Sequence, residues 1–327
     1  MAEEIRRSRE RLSDVYYRYH PPMGTSFLED LERVWGGEWG ANTEVGQLRK
    51  VLLHRPGREM LAVEEPYEEW RYGYKPDLEE MRRDYEVLRA AFEEEGVEVV
   101  ERLPEEGPSP RLVKSIYTRD PSFAVPGGVI VGRMYDELRR GEERYTMQTL
   151  AAIGCPVLRV VNGVGAVEGG SVMWIDPKHL AIGLSWRINE EGAGQVAEVV
   201  GAADPEIEID IEPIFHGHID GFICMVDVKT AAVQREGLAY TMYEWLRDDV
   251  GLNIIEWPRG VYVAGVAVRP GRVICAAGPG KEKGIKLLER SDVDVVAIDI
   301  PSLVEPRNSG SIHCLTMPIL RDPEPEG

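Results

Sequence analysis

Cysteine is scarce in this chain: Cys155, Cys224, Cys275 and Cys314 are the four in 327 residues, and no two form a C-x-x-C pair. That spacing excludes a dense disulfide framework and a cysteine-based structural zinc site, so each thiol is either a small core residue or a nucleophile. Positive charge is also short. The 38 Lys plus Arg stand against 57 Asp plus Glu, a formal charge of −19, which repels phosphate backbones and anionic membranes and makes nucleic acid and membrane unexpected partners. No run of eighteen apolar residues occurs, which excludes an apolar spanning helix. The opening MAEEIRRSRERL is a charged amphipathic run without an apolar core, and a cytoplasmic protein is expected. Low-complexity tracts and shifts of composition are missing as well, so one domain over 1–327 is the simplest expectation, with about residues 1–40 as a helical or irregular extension. A homo-oligomer is compatible with this composition.

The apolar pattern itself is repetitive. After Pro76, Asp77 can cap a helix in which Leu78, Met81, Tyr85, Leu88 and Phe92 recur at helical spacing until Gly96, and the strand-like VEVVERL follows. The same order of helix, turn signal and short β-branched run recurs, with helical patterns near Met134–Ile153, Asn189–Val200, Leu238–Asp249 and Lys281–Arg290. The strands after them are PVLRVV, EIEIDI, LNIIEW and DVDVVAID. Between copies lie hairpin-like segments, FAVPGGVIVG, VMWIDPKHLAIG and VAVRPGRVICAA, with turn signals at Gly127 and Gly128, Asp176 and Pro177, and Pro270 and Gly271. A doubly wound parallel sheet lacks an antiparallel hairpin in nearly every unit. A closed ring of five α/β units, a propeller, fits the order better.

In such a ring the connections converge on the axis, and the polar residues follow that rule. YTRDPSF brings Asp120, VEGGS brings Glu168, FHGHIDGF brings His218 and Asp220, and NSGSIHCLT brings Cys314, while the fourth unit contributes nothing obvious. In an extended strand His216, His218 and Asp220 would share a face. H-x-H-x-D spacing suits metal ligands, but only His20, His54, His179 and His313 remain to complete a set. The alternatives are a general acid and base at His218 with Asp220 beside a cationic substrate, or a satisfied structural histidine. Cys155, Cys224 and Cys275 sit in or beside apolar strand-like runs, as inert core thiols do. Cys314 instead follows small, flexible Asn-Ser-Gly-Ser next to His313, whose charge would favour a thiolate.

Taken in order, these residues resemble the guanidino-group-modifying enzymes of the pentein fold, a five-bladed α/β propeller with pseudo-fivefold repeats. The group includes arginine deiminases, dimethylarginine dimethylaminohydrolases and amidinotransferases. The resemblance starts at EVGQLRKVLLHRPG and runs through TRDPSF, EGGSV, GLSWRINEEGA, HID and IHCLTMP, most of the chain. It implies Cys314 as nucleophile, His218 as acid and base, Glu168 as the carboxylate near that histidine, and Asp120 with Asp220 as the guanidinium-binding pair. Arg187 lies where deiminases place an arginine for the substrate carboxylate, and Arg119 is the alternative for that role. The implied reaction needs no metal or cofactor. It is hydrolysis of arginine or a small derivative to a ureido product such as citrulline, through a covalent thiouronium. Transfer of the amidino group to an amine acceptor is the alternative, and a non-catalytic pentein binding module a further one. Two departures from the family pattern, Ser171 for an aspartate and Asn308-Ser309-Gly310-Ser311 for a run of glycines, are expected at the mouth of the site. The helical insertion of many arginine deiminases is expected to be absent.

Overall fold

Short runs of β-branched and aliphatic residues, each bounded by a turn, set the architecture. The computed structural model describes residues 26–104, 112–263 and 265–325. The opening amphipathic run, His20 and the rest of residues 1–25, and the last two residues, lie outside the described ones. Residues 26–38 belong to one compact unit and 39–325 to another. In the first, Ser26 caps a single α-turn, Phe27–Asp30, through a reciprocal capping box with Glu29, and a π-turn over Leu31–Trp35 ends at Gly36 with φ 78°.

The second unit holds, among the described residues, fifteen strands in five three-stranded sheets. The strands are β1 Leu48–Leu53, β2 Glu98–Glu101, β3 Ser122–Val125, β4 Gly128–Val131, β5 Val157–Val160, β6 Val172–Asp176, β7 His179–Leu184, β8 Glu208–Pro213, β9 Ile223–Asp227, β10 Thr230–Val233, β11 Asn253–Glu256, β12 Gly265–Arg269, β13 Arg272–Ala276, β14 Asp294–Ile298 and β15 Met317–Arg321. Every sheet has the same plan: a first strand antiparallel to the second, and a third parallel to the second. A parallel neighbour demands a crossover. Helices α1 Leu78–Glu94, α2 Glu142–Ala152, α3 Glu190–Ala203, α4 Tyr240–Glu244 and α5 Glu282–Arg290 supply it, one per sheet.

The first sheet is assembled from both ends of this unit, since β15 pairs antiparallel with β1, which pairs parallel with β2. Neighbouring sheets touch through inner strands, β15 against β3, β9 against β12 and β1 against β12. Burial follows the same order. All residues of β3, β4 and β6 are buried, whereas β2, β5 and β8 keep exposed residues, among them the charged Glu98, Glu101 and Glu208. Charge on an open edge discourages pairing with another chain.

Helix α1 forms as its sequence predicts: the Asp77 carboxylate accepts from the amides of Glu79 and Glu80, and Met81, Tyr85, Leu88 and Phe92 are buried on one face. Helix α2 begins eight residues later than its apolar pattern predicts. The Glu143 carboxylate accepts from the amides of Met134 and Gly141, and Gly141 at φ 110° turns the chain just before the helix. Helix α4 runs into a π-turn over Trp245–Asp249. The β9–β10 hairpin, which the sequence pattern does not mark, turns without glycine or proline because Lys229 itself adopts φ 56°. His216 to Asp220 are not a strand: residues 215–217 bend and Ile219–Gly221 is a 3₁₀ turn, so the predicted common face of His216, His218 and Asp220 does not form.

β15 joins the sheet plan only by leaving solvent, so its apolar side chains should dominate its worth. Ile319 is fully buried. Ile319→Ala is expected to lower unfolding free energy by about 2–5 kcal/mol, and the exposed cap change Asp77→Ala by about 1 kcal/mol. Equal urea midpoints for the two variants would contradict this ranking.

Candidate active site

The five connections that leave a third strand and enter the next first strand do equivalent work. Asp120 lies two residues before β3, Glu168 four before β6, Asp220 three before β9 and Cys314 three before β15. The fourth connection, between β11 and β12, supplies Tyr262. Side chains this close to a buried strand inherit its rigidity. Glycine allows the loops to meet: a Cβ on Gly170 would stand 3.0 Å from the His218 ring and 3.1 Å from Asp120 Oδ1, and one on Gly310 would stand 2.2 Å from the Tyr117 ring.

A cavity of about 210 Å³ opens between these connections. Asp120, His218, Asp220 and Cys314 line it, with Tyr117, Tyr262 and the Ser309–Ser311 backbone. Asp220 is the hub. Its Oδ2 accepts from His313 Nδ1 at 2.8 Å and lies 4.0 Å from Cys314 Sγ, while Ser311 Oγ is 3.4 Å from the same sulfur. His313 is thus bound to Asp220, with its Nε2 3.6 Å from Glu44, so it serves the carboxylate and not the thiol.

His218 is held by two carboxylates. Its Nε2 is 2.9 Å from Glu168 Oε2, and its Nδ1 is 3.6 Å from Asp120 Oδ1. Glu168 is fully buried beneath the imidazole and also accepts from the Tyr135 amide at 3.0 Å and from Arg187 Nη1 at 3.1 Å. Burial opposes charge on His218, but Asp120, then Glu168 and Asp220, overcome it and raise its pKa to about 9. Burial likewise opposes charge on Glu168, yet the His218 hydrogen bond and charge, with Arg139 and Arg187, lower it to about 2. The imidazole is therefore a cation near neutrality. The thiol is the opposite case: burial first, then the negative charges of Asp220 and Asp120, push the Cys314 pKa well up. With the cavity empty, the pair at neutral pH is an imidazolium and a neutral thiol.

Asp120, Glu168 and His218 could by position hold a metal, since one donor atom of each lies within 4.8 Å of the others. Their chemistry disfavours it. A metal needs the neutral imidazole, whereas this one is held protonated, and a dication would sit against Arg139 on Asp120 and Arg187 on Glu168. His216 takes no part, being exposed and packed on Phe222 with ring centroids 4.9 Å apart.

Of the residues singled out in the sequence, Cys314, His218, Asp120, Asp220 and Arg187 line one cavity and Glu168 underlies it. Arg119 is placed elsewhere: it is buried, donates to Thr316 O and to Glu44 Oε1 at 3.2 Å, and faces a separate small cavity. Ser171 is buried under the site and not at its mouth, while Ser309 to Ser311 do line the cavity. Cys155, Cys224 and Cys275 are buried, and burial raises their thiol pKa, to about 12 for Cys155 and Cys275. Sequence reading passed over Lys114, Arg139, Tyr117 and Tyr262, all at the cavity. Arg139 donates to Asp120 and Glu142, yet in DELRRGEE it reads as part of a solvated charge run. The lone lysine in the apolar LVKSIY was the legible signal.

The arginine deiminase family model matches residues 108–252. That stretch includes Asp120, Glu168, Arg187, His218 and Asp220, and ends before Cys314. The arginine deiminase of Oenococcus oeni is 34% identical over 131 residues, 37% of this chain and 31% of that protein. The arginine deiminase of Streptococcus equi subsp. zooepidemicus is 39% identical over 59 residues, 18% of this chain and 14% of that protein. The chain thus matches a third or less of the length of these curated relatives. Solved structures match over more of it. Pseudomonas aeruginosa DDAH complexed with citrulline has TM-score 0.67 at 19% identity, over 83% of this chain and 99% of that one. SxtG, an amidinotransferase from Microseira wollei, has TM-score 0.66 at 15% identity, over 88% and 99%. The N-terminal domain of ArgZ, an arginine dihydrolase from Cyanobacteria bound to product, has TM-score 0.67 at 17% identity, over 85% and 100%. The sequence likeness is thus to arginine deiminases over part of the chain, and the structural matches give the fold, which is similar to that of DDAH, SxtG and the N-terminal domain of ArgZ.

Proposed function

We propose that this protein is a cysteine-dependent enzyme that hydrolyses the guanidino group of arginine or a small arginine derivative to a ureido product. In this proposal residues 39–325 form the catalytic domain, its five sheets closing as a five-bladed α/β propeller with β15 completing the first blade. The observation that carries the reading is Asp220, buried, with one oxygen shared between His313 Nδ1 at 2.8 Å and Cys314 Sγ at 4.0 Å. A buried carboxylate beside a neutral thiol calls for a cation, and a flat guanidinium offers the fork of N–H donors that two carboxylates accept.

The chemistry follows from the charges. With the substrate cation between Asp120 and Asp220, the two negative charges that hold the thiol protonated are offset, and Cys314 ionises, its proton passing to solvent. The thiolate attacks the guanidine carbon, forming a C–S bond. His218, already an imidazolium, donates its proton to the departing nitrogen as the C–N bond breaks, leaving an S-alkylthiouronium on Cys314. Neutral His218 then accepts a proton from water as the oxygen adds to the same carbon, and the C–S bond breaks as the remaining proton on that oxygen passes to the sulfur, releasing the ureido product and the thiol. Glu168 keeps the imidazole oriented and charged for the first step. An amine acceptor in place of water would make the same intermediate a transfer reaction.

Cys314→Ser is expected to lower turnover at least about 10³-fold, whereas Cys155→Ser leaves it within a few fold. Undiminished turnover in the first variant would remove Cys314 as nucleophile. Amine release and ureido product without added acceptor, followed by a colorimetric assay, separates hydrolysis from transfer. Removing one of the charges that raise the thiol pKa must lower it, so Asp220→Asn should speed alkylation of Cys314 by iodoacetamide at pH 8 in the empty enzyme. Peptide mass spectrometry locates the label, and a slower reaction would contradict the assigned electrostatics. Chelator is expected to leave turnover unchanged.

A further inference from the structure

The charged side chains lining the cavity do not pair off evenly. Asp120 is held by Arg139, which also engages Glu142. Arg187 is on Glu168, and Arg71 Nε lies 3.5 Å from Asp136. One basic group is left over. Lys114 is buried, lines the cavity, and has no ion pair with a carboxylate among the described residues. Its Nζ donates to Asn308 Oδ1 at 2.8 Å and stands 3.5 Å from the centroid of the Tyr72 ring. A neutral amide and a ring face fix the amine in place and leave its charge uncompensated. Burial, then the like charge of Arg139, lower the Lys114 pKa to about 6, a cost that an anion bound beside it would reverse.

The location of Lys114 says which part of a ligand it meets. Its Nζ is fixed on Asn308 and the Tyr72 ring, whereas the Cys314 sulfur lies against Ser311 Oγ at 3.4 Å and Asp220 Oδ2 at 4.0 Å, so the two groups have separate surroundings on the cavity wall. An ammonium group there would meet Lys114, Arg71 and Arg139, with Asp136 already engaged by Arg71. A carboxylate there would gain the one cavity-lining amine without an ion pair among the described residues and favour its charged form.

We infer that the substrate is an ω-guanidino acid whose carboxylate, carried without a neighbouring ammonium, is received by Lys114 while its guanidinium lies between Asp120 and Asp220. This specificity rests on the guanidino chemistry proposed above, and the two can fail separately. The test compares kcat/KM of the wild-type enzyme for arginine, for 5-guanidinopentanoate, which is arginine without its α-amino group, and for agmatine, which is arginine without its carboxylate. 5-Guanidinopentanoate is expected to exceed both by about tenfold or more. Lys114→Met should lower kcat/KM for 5-guanidinopentanoate by about 30- to 100-fold, the loss typical of a buried charged hydrogen-bond partner, while changing agmatine by less than about threefold. Arginine turned over as well as 5-guanidinopentanoate, or an equal loss on all three compounds in Lys114→Met, would overturn the specificity and leave the guanidino reading standing. Turnover of none of the three by the wild type, with or without an added amine, would remove both.

Discussion

Four carboxylates, Glu44, Asp120, Glu168 and Asp220, are buried within the reach of a few hydrogen bonds of one another, and the need to offset their charge organises the centre of this protein. Each has a specific partner: Arg119 for Glu44, Arg139 for Asp120, Arg187 and His218 for Glu168, and His313 for Asp220. Buried ion pairs of this kind add little net stability, because desolvation consumes most of the attraction, but they fix geometry. Here that geometry sets protonation. The same negative field favours the charged form of His218 and the neutral form of the Cys314 thiol, so two side chains of one cavity are driven to opposite ends of their titration.

The fold makes such a cluster affordable by setting Asp120, Glu168 and Asp220, with Cys314, in connections that lead into first strands. Each enters a strand whose residues are almost all buried, and neighbouring first strands pack on one another. The positions of the charges are therefore set by the sheets and not by the loops' own preferences. Glycines at 170 and 310 let those loops approach within van der Waals contact, where any side chain would strike His218 or Tyr117. Ser171 and Asn308, which depart from the family pattern, have buried roles: Ser171 Oγ faces Gly217 O at 3.4 Å, and Asn308 receives Lys114.

Among the described residues no helix is long and apolar enough to cross a membrane. The acidic surface and the internal charges are separate matters. The formal charge of −19 arises from the whole chain, while at the cavity Lys114 has no ion pair with a carboxylate among the described residues. Net charge thus speaks against polyanionic partners but does not describe what the site itself would hold.

Much was legible in the order of residues. Helix α1 with its Asp77 cap, the recurrence of hairpin, helix and strand, and the set Asp120, Glu168, His218, Asp220 and Cys314 could be read directly, because local propensity and apolar period are properties of neighbours in the chain. What could not be read depended on partners distant in sequence. Arg119 stood next to Asp120 and seemed part of the site, yet it turns to Glu44, 75 positions away. His313 seemed to serve Cys314 beside it and instead binds Asp220, 93 positions away. Lys114 carried a signal, a lone charge in an apolar run, but no meaning until Asn308, Tyr72 and the cavity were in place. Sequence alone determined which ionisable groups this protein possesses and roughly where they fall along a repeating fold; tertiary structure decided which of them face one another, because charge and protonation depend on separation through space and on exclusion of water, and neither is a property of position along a chain.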